Sequence, residues 1–372
     1  MTTLAAQREM KRDLNQTPFI TIWEVTRACQ LHCLHCRAEA QRHRDPGELS
    51  TEEGFRLIDE IVALDKPLLV FTGGDPLERE DLFDFIRYGR EKGLEVSITP
   101  SATPKVTLEA MKKAKDAGLM RWAFSLDGST GEIHDKFRGT KDSYNRTITG
   151  LDMLRELGIP RQINTTVTRY NKEDLKNIAK IVANYESVLW SVFFLVPTGR
   201  ARIADMVSAD EHERIMEWLF ELSLISPFDI KTTEAPHYRR VVLQQRKLRE
   251  AALGGGVSQV NPQYHSIRAP RTINDGNGFV FISHIGDVYP SGFLPIVAGN
   301  VRQQSLGEIY RDTPVFRRLR NPDLLKGKCG VCEFRNVCGG SRSRAYGLTG
   351  DELESDPSCS YQPKAWLDLN AE

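Results

Sequence analysis

Six short runs rich in β-branched and aromatic residues, each followed by an amphipathic stretch, restrict this chain more than any other feature. The runs cover residues 19–25, 68–72, 96–100, 122–127, 162–168 and 190–196 and are apolar on both faces, as strands covered on both sides of a parallel sheet must be. Helical periodicity occupies residues 51–64, 81–92, 108–117, 144–157, 172–185 and 209–224. Ser50-Thr51-Glu52-Glu53 reads as a capping box, and Gly93, Gly118 and Gly158 stand where a helix ends in a left-handed residue. Six βα units are too few for a closed eight-fold barrel. The α/β fold expected is therefore a doubly wound sheet or a partial (βα)6 barrel, and either puts the site at the strand C-termini.

The pattern breaks near Gly254-Gly255-Gly256, and residues 226–277 read as a bridging region with a basic helical stretch at 239–253 and no clear strand order. Beyond it, residues 278–283 and 287–290 flank a turn at Ile285-Gly286, a hairpin, followed by a short helix near 305–310 and a cysteine-rich tail. The expected organisation is a tail (1–17), a core (18–225), the bridge (226–277) and a small cysteine-dependent module (278–372).

The 372 residues carry 50 Lys+Arg against 50 Asp+Glu. That balance supplies no basic field for nucleic acid or an anionic membrane, so neither is expected as a partner. No run of about eighteen apolar residues occurs, and residues 1–16 lack the apolar core of a signal peptide; a cytoplasmic protein is expected. In a reducing compartment the seven cysteines point to metal ligation or redox chemistry rather than to disulfides.

Cys29, Cys33 and Cys36 form a C-x3-C-x2-C set directly after the first strand. Three thiolates can hold three irons of a 4Fe-4S cluster and leave the fourth open to a ligand, whereas structural zinc is closed by four protein ligands. Zinc with His32 or His35 as the fourth ligand is the alternative. Cys329, Cys332, Cys338 and Cys359 form a second set, whose four thiolates could close around either an iron–sulfur cluster or zinc.

The first loop resembles the signature of the radical S-adenosylmethionine (radical SAM) enzymes. Thr72-Gly73-Gly74-Asp75-Pro76 is similar to that family's Gly-Gly-Glu-Pro motif, with Asp75 in place of Glu. The resemblance implies that backbone groups of Gly73, Gly74, Asp75 and Pro76 receive the methionine amino group. It implies further that His35 covers the cluster and a bound adenine, that Ser125 meets the methionine or ribose part, that Arg138 pairs with the carboxylate, and that the Leu195 backbone meets adenine. Thr166 adds a hydroxyl at the mouth. Against this, Ser125 could merely cap the next segment, Arg138 could form a surface ion pair, and the strand hydroxyls could satisfy their own backbone.

The C-terminal cysteines resemble the SPASM/twitch extensions of radical SAM enzymes, in which these positions ligate an auxiliary cluster. Ser291 stands where the full SPASM pattern has a cysteine, and Ser341 or Arg342 occupies another cysteine position, so one auxiliary 4Fe-4S cluster is expected. Trp23-Glu24-Val25-Thr26-Arg27, Phe137-Arg138-Gly139, Gln162-Ile163-Asn164-Thr165-Thr166, Leu195-Val196-Pro197-Thr198-Gly199-Arg200 and Cys338-Gly339-Gly340 with Arg344-Ala345-Tyr346 resemble the tetrapyrrole branch, the alternative haem-synthesis and denitrification-haem enzymes.

That resemblance implies reductive cleavage of S-adenosyl-L-methionine to a 5′-deoxyadenosyl radical, hydrogen abstraction from a substrate carbon, and loss of carbon dioxide from a porphyrin propionate. It also implies a low-potential electron donor such as flavodoxin or ferredoxin. Arg200, Arg202 or Arg239 could receive propionates, or each could be a solvated surface charge. A maturase acting on a ribosomal peptide, and a non-catalytic zinc-stabilised binding protein, are the alternatives.

Overall fold

The computed structural model describes residues 12–252 and 273–369; the glycine triplet 254–256 lies outside the described residues. The first half runs β1 (Ile20–Glu24), α1 (Thr51–Ala63), β2 (Leu68–Thr72), α2 (Leu82–Glu91), β3 (Val96–Ile98), α3 (Leu108–Asp116), β4 (Arg121–Ser125), α4 (Gly131–Arg138) and α5 (Ser143–Glu156). It continues through β5 (Arg161–Val167), α6 (Leu175–Asn184), β6 (Leu189–Phe194), α7 (Ala209–Ser223), β7 (Asp229–Thr233) and α8 (His237–Ala252). After the gap come β8 (Phe279–Ile282), β9 (Asp287–Tyr289), β10 (Gly299–Asn300), α9 (Leu306–Asp312), α10 (Pro314–Leu319), α11 (Gly327–Val331), α12 (Arg342–Thr349) and α13 (Lys364–Leu369).

All strands join one sheet in the order β10-β9-β8-β1-β2-β3-β4-β5-β6-β7. From β8 to β7 every neighbouring pair is parallel, which places the strand C-termini along one rim. The six expected βα units are present, and the boundaries move by a residue or two at most ends. Ser50 and Glu53 form the reciprocal capping box at α1, and Gly93, Gly118 and Gly158 adopt φ of +85°, +86° and +66°.

Two features differ from the sequence-based organisation. The bridge contains a seventh parallel strand, β7, in register with β6 from Leu189↔Asp229 to Phe193↔Thr233. Its sequence, Asp-Ile-Lys-Thr-Thr, lacks the continuous apolar run of the others because it is the sheet edge, with no residue fully buried. The hairpin β8–β9 with Gly286 (φ +88°) in its turn forms as expected, yet β8 also pairs parallel to β1, Ile20 opposite Phe279. The small module is thus stitched into the core's sheet.

Along β5 the alternation is strict: Ile163, Thr165 and Val167 are buried, while Gln162, Asn164 and Thr166 on the other face are half-buried. The buried face joins Trp23, Trp122, Trp190 and the helices' apolar stripes in one core. The polar face, ending at the rim, is left for the site.

Candidate active site

The cysteine loop leaves β1 and is clamped by backbone. Cys29 and Cys33 are buried and Cys36 is half-buried. The Cys29 amide donates to Gln41 O at 2.7 Å and the Leu34 amide to Phe137 O at 3.1 Å. Glycines press on the loop from three elements. A Cβ on Gly73 would lie 2.6 Å from Thr26 O, one on Gly74 2.5 Å from Arg27 O, and one on Gly199 2.5 Å from Arg37 O; one on Gly139 would meet His32 O. Only glycine permits this approach, and Gly139 and Gly199 also need φ near +60°.

Each thiol has a donor aimed at it: the Leu31 amide to Cys29 Sγ at 3.4 Å, the Ala40 amide to Cys36 Sγ at 3.4 Å, and Arg138 Nη1 to Cys33 Sγ at 3.7 Å. Burial pushes the Cys29 thiol up to about 12 and raises Cys33 as well. Left to themselves Cys29 and Cys33 would stay protonated, and a metal is what would draw these two sulfurs into the thiolate form. Among the described residues no three His, Cys, Asp or Glu side chains gather as tightly as a single metal ion needs; a 4Fe-4S cube takes one thiolate per iron. The donor set fits such a cluster.

His32 is exposed. The His35 ring instead stacks on Phe137 at 4.1 Å between centroids, and its buried Nδ1 has no partner. Burial, then the Arg138, His134 and Arg200 charges, holds it neutral, well below its ordinary value.

At the end of β2 the Gly74 and Asp75 amides are spent on the cysteine loop, donating to Thr26 O at 2.8 Å and Ala28 O at 2.7 Å. That leaves carbonyl oxygens to accept from an ammonium group, and Gly74 O already receives the Ser101 hydroxyl at 3.0 Å. The Asp75 side chain turns inward, accepting from Thr103 Oγ1 at 2.6 Å and the Leu77 amide at 3.1 Å, and desolvation lifts its carboxyl to about 7. Pro76, buried, opens the short turn 76–78.

Across the rim, the half-buried Ser125 hydroxyl makes no hydrogen bond among the described residues. The Thr166 amide donates to Asp127 Oδ1 at 2.7 Å. Arg138 is not a surface charge: it forms an ion pair with the fully buried Asp127 as well as contacting Cys33. Leu195 lies buried just past β6. Arg202 is taken by Asp205 and Arg239 by the Val337 and Ile273 carbonyls, whereas Arg200 has Nε and Nη2 buried and unpartnered.

Cys329, Cys332, Cys338 and Cys359 line one cavity together with His237, Arg240 and Tyr361. The Phe334 and Gly340 amides reach Cys332 and Cys338 Sγ at 3.4 Å, and Arg342 Nη2 reaches Cys329 Sγ at 3.7 Å. Burial lifts Cys338 to about 12, while His237 and Arg240 overcome burial at Cys359 and lower it. His237 itself is held at about 9 by Asp356, 3.3 Å away, against the effect of burial, and Arg344 grips Asp356 at 3.0 and 2.8 Å. Four thiols around one cavity fit a fully ligated cluster.

The sequence reading did not single out His237, Asp356 or Glu234. Glu234, at the rim end of β7 with φ +56°, accepts the Ser291 hydroxyl at 3.3 Å and the Ser341 hydroxyl at 2.5 Å. Ser291 and Ser341, 50 residues apart in the chain, therefore meet on one carboxyl group. No spacing signals such pairs, whose members are far apart in the chain.

The radical SAM superfamily model matches residues 23–182, and a model described as an iron-sulfur cluster-binding domain (SPASM) matches residues 274–333. The AdoMet-dependent heme synthase of Methanosarcina barkeri is 41% identical over 351 residues, 94% of this chain and 98% of the relative. The PqqA peptide cyclase of Bradyrhizobium diazoefficiens is 26% identical over 93% of this chain and 87% of its own. Among solved structures, Streptococcus suis SuiB bound to S-adenosylmethionine superposes with a TM-score of 0.71 at 15% identity, covering 93% of this chain and 78% of SuiB; that likeness shows the fold. These matches set aside a non-catalytic zinc-stabilised protein. The chain belongs to the radical SAM superfamily of enzymes, with a C-terminal iron–sulfur cluster-binding domain, in the group that includes the AdoMet-dependent heme synthases.

Proposed function

We propose that this enzyme oxidatively decarboxylates propionate side chains of an iron-bearing tetrapyrrole. The observation that carries the reading is the 41% identity, over 94% of the chain, to a relative named AdoMet-dependent heme synthase. When bound, a 4Fe-4S cluster with S-adenosylmethionine supplies a 5′-deoxyadenosyl radical that removes a hydrogen atom from an unactivated carbon. Cys29, Cys33 and Cys36 would hold that cluster, and Cys329, Cys332, Cys338 and Cys359 the auxiliary one.

The chain's own residues orient and shield. The Gly73–Pro76 turn would offer carbonyl oxygens to the methionine ammonium, Ser125 and Thr166 would supply hydroxyls at the rim, and the Leu195 backbone and His35 would receive the adenine. Arg138, locked to Asp127, fixes the Cys33 side of the loop. A propionate that loses one hydrogen atom from the carbon next to the ring, then carbon dioxide, leaves a vinyl group and one electron. An acceptor must take that electron, and a cluster held by Cys329, Cys332, Cys338 and Cys359 would supply one.

We place the enzyme in the cytoplasm, in keeping with seven free cysteines, and expect a flavodoxin- or ferredoxin-like donor. Anaerobic enzyme given reductant, S-adenosylmethionine and iron coproporphyrin should shift the Soret band on binding, then release 5′-deoxyadenosine and carbon dioxide. The similarity to PqqA peptide cyclase favours a second reading, a peptide maturase. Absence of porphyrin binding, with 5′-deoxyadenosine still released, would move the assignment there.

A further inference from the structure

We infer that Arg200 is a carboxylate receptor beside the cysteine loop, holding either the methionine carboxylate of S-adenosylmethionine or a propionate of the substrate. The substrate arm rests on the proposed tetrapyrrole reading; the cofactor arm does not.

The chain shows how its arginines are normally satisfied. Arg344 fills the edge formed by Nε and Nη2 with both oxygens of Asp356, Arg79 fills the same edge with Asp81, Arg202 with Asp205 and Arg302 with Glu53. That edge carries two parallel N–H groups at the spacing of a carboxylate. In Arg200 this same edge is shut off from solvent and empty, and Arg200 makes no ion pair among the described residues. Two N–H groups kept from water with no acceptor are costly, so this edge is completed by an anion that arrives with a ligand.

The place is fixed from the backbone. The Arg200 amide donates to Cys36 O at 3.0 Å, and Gly199, with φ +58°, packs its Cα against the Cys36 and Arg37 carbonyls. The charge is felt at His35, the ring stacked beside the same loop. Other candidate cations have partners already: Arg138 with Asp127, Arg37 with Glu24 at 2.6 Å, Arg239 with two carbonyls. Among the described residues around the loop, Arg200 offers a whole bidentate edge that is both buried and open.

The test uses Arg200→Gln and Arg200→Lys in the reconstituted full chain, with iron content and melting temperature checked against wild type. Four probes are titrated: S-adenosylmethionine, its decarboxylated analogue, iron coproporphyrin III and the tetramethyl ester of that porphyrin. Loss of a bidentate charged contact should weaken one acid by about ten- to hundredfold, with Arg200→Lys in between. The matching analogue without the carboxylate should bind wild type and variant alike, which a merely structural role would not produce.

Selective weakening of S-adenosylmethionine identifies the methionine carboxylate, and selective weakening of the porphyrin acid identifies a propionate. Should Arg200→Gln not retain its iron, Arg200→Lys against the same four probes decides. A variant that binds both acids within about twofold of wild type overturns the proposal. Failure of wild type to bind porphyrin sinks the tetrapyrrole reading instead and leaves the S-adenosylmethionine pair to judge Arg200.

Discussion

Replacing Gly74 by alanine asks whether the first cysteine set is positioned by backbone contact. The added Cβ would stand 2.5 Å from Arg27 O and closer still to Ala28 O. Ordinary carbon–oxygen contacts begin near about 3.3 Å, so the β2 turn and the cysteine loop would have to part by roughly 0.8 Å. Both obstacles are backbone carbonyls, which no rotamer change can move aside. The hydrogen bonds from Gly74 to Thr26 O (2.8 Å) and from Asp75 to Ala28 O (2.7 Å) resist the separation.

Such overpacking costs about 1–3 kcal/mol, which a large domain survives. The effect on the metal site should be greater, because metal–ligand distances tolerate only about 0.2 Å and all three thiols follow within the same loop. Anaerobically reconstituted Gly74→Ala should therefore fall from about eight to about four irons per chain, lose 5′-deoxyadenosine release and keep its circular dichroism. Gly158→Ala is the control: its φ is +66° but nothing lies within 4 Å of the new Cβ, so it should lose about 1–2 kcal/mol of stability and no iron. Gly74→Ala with full iron and wild-type cleavage would refute the reasoning.

Serine at Cys29, Cys33 or Cys36 should abolish 5′-deoxyadenosine release, while serine at Cys329 and Cys332 should halve the iron yet leave part of that release, read by chromatography. Glu24 is fully buried, and although burial would raise its carboxyl, Arg37, His284 and Arg27 bring it from 4.5 to about 2. Its contribution is thus complete above the unfolded value and disappears as pH falls through the folded one. Urea unfolding should show wild type losing stability between those pH values and Glu24→Gln flat there, with the variant weaker at neutral pH by about 3 kcal/mol. Burial and Asp275 keep Glu234 protonated far above its ordinary range, so the folded state loses ground as pH rises past the unfolded carboxyl value. The free energy of urea unfolding should decline with rising pH above the unfolded carboxyl value in wild type, by at most about 1.4 kcal/mol per pH unit, and lose that slope in Glu234→Gln.

Much of the site was legible because its chemistry is carried by consecutive residues. Cys29, Cys33 and Cys36 sit on one loop, and Gly73 and Gly74 adjoin a strand end, so spacing alone brings each group together. Arg138 is different: a sequence can propose a carboxylate ligand or a surface pair, but only the packed chain shows it locked between Asp127 and Cys33. Among Arg200, Arg202 and Arg239, likewise, the sequence offers no choice, and the structure separates them by their partners. β7 escaped notice because an edge strand need not be apolar, although hydrogen bonding to β6 defines it as firmly as any other.

Local signals determined the βα order, the helix caps and both thiol sets, since hydrophobic period, capping chemistry and ligand spacing act over a few residues. Tertiary structure alone decided that β8 joins β1, so that the C-terminal module shares the core's sheet. It alone brought Glu24 to His284, His237 to Asp356, and Glu234 to Ser291 and Ser341. Those partners are tens to hundreds of residues apart, and what selects them is shared burial: Glu24 and Asp356 are tolerable as buried carboxylates only beside the cations that the fold delivers, and Glu234 as a protonated acid only beside its hydroxyl partners.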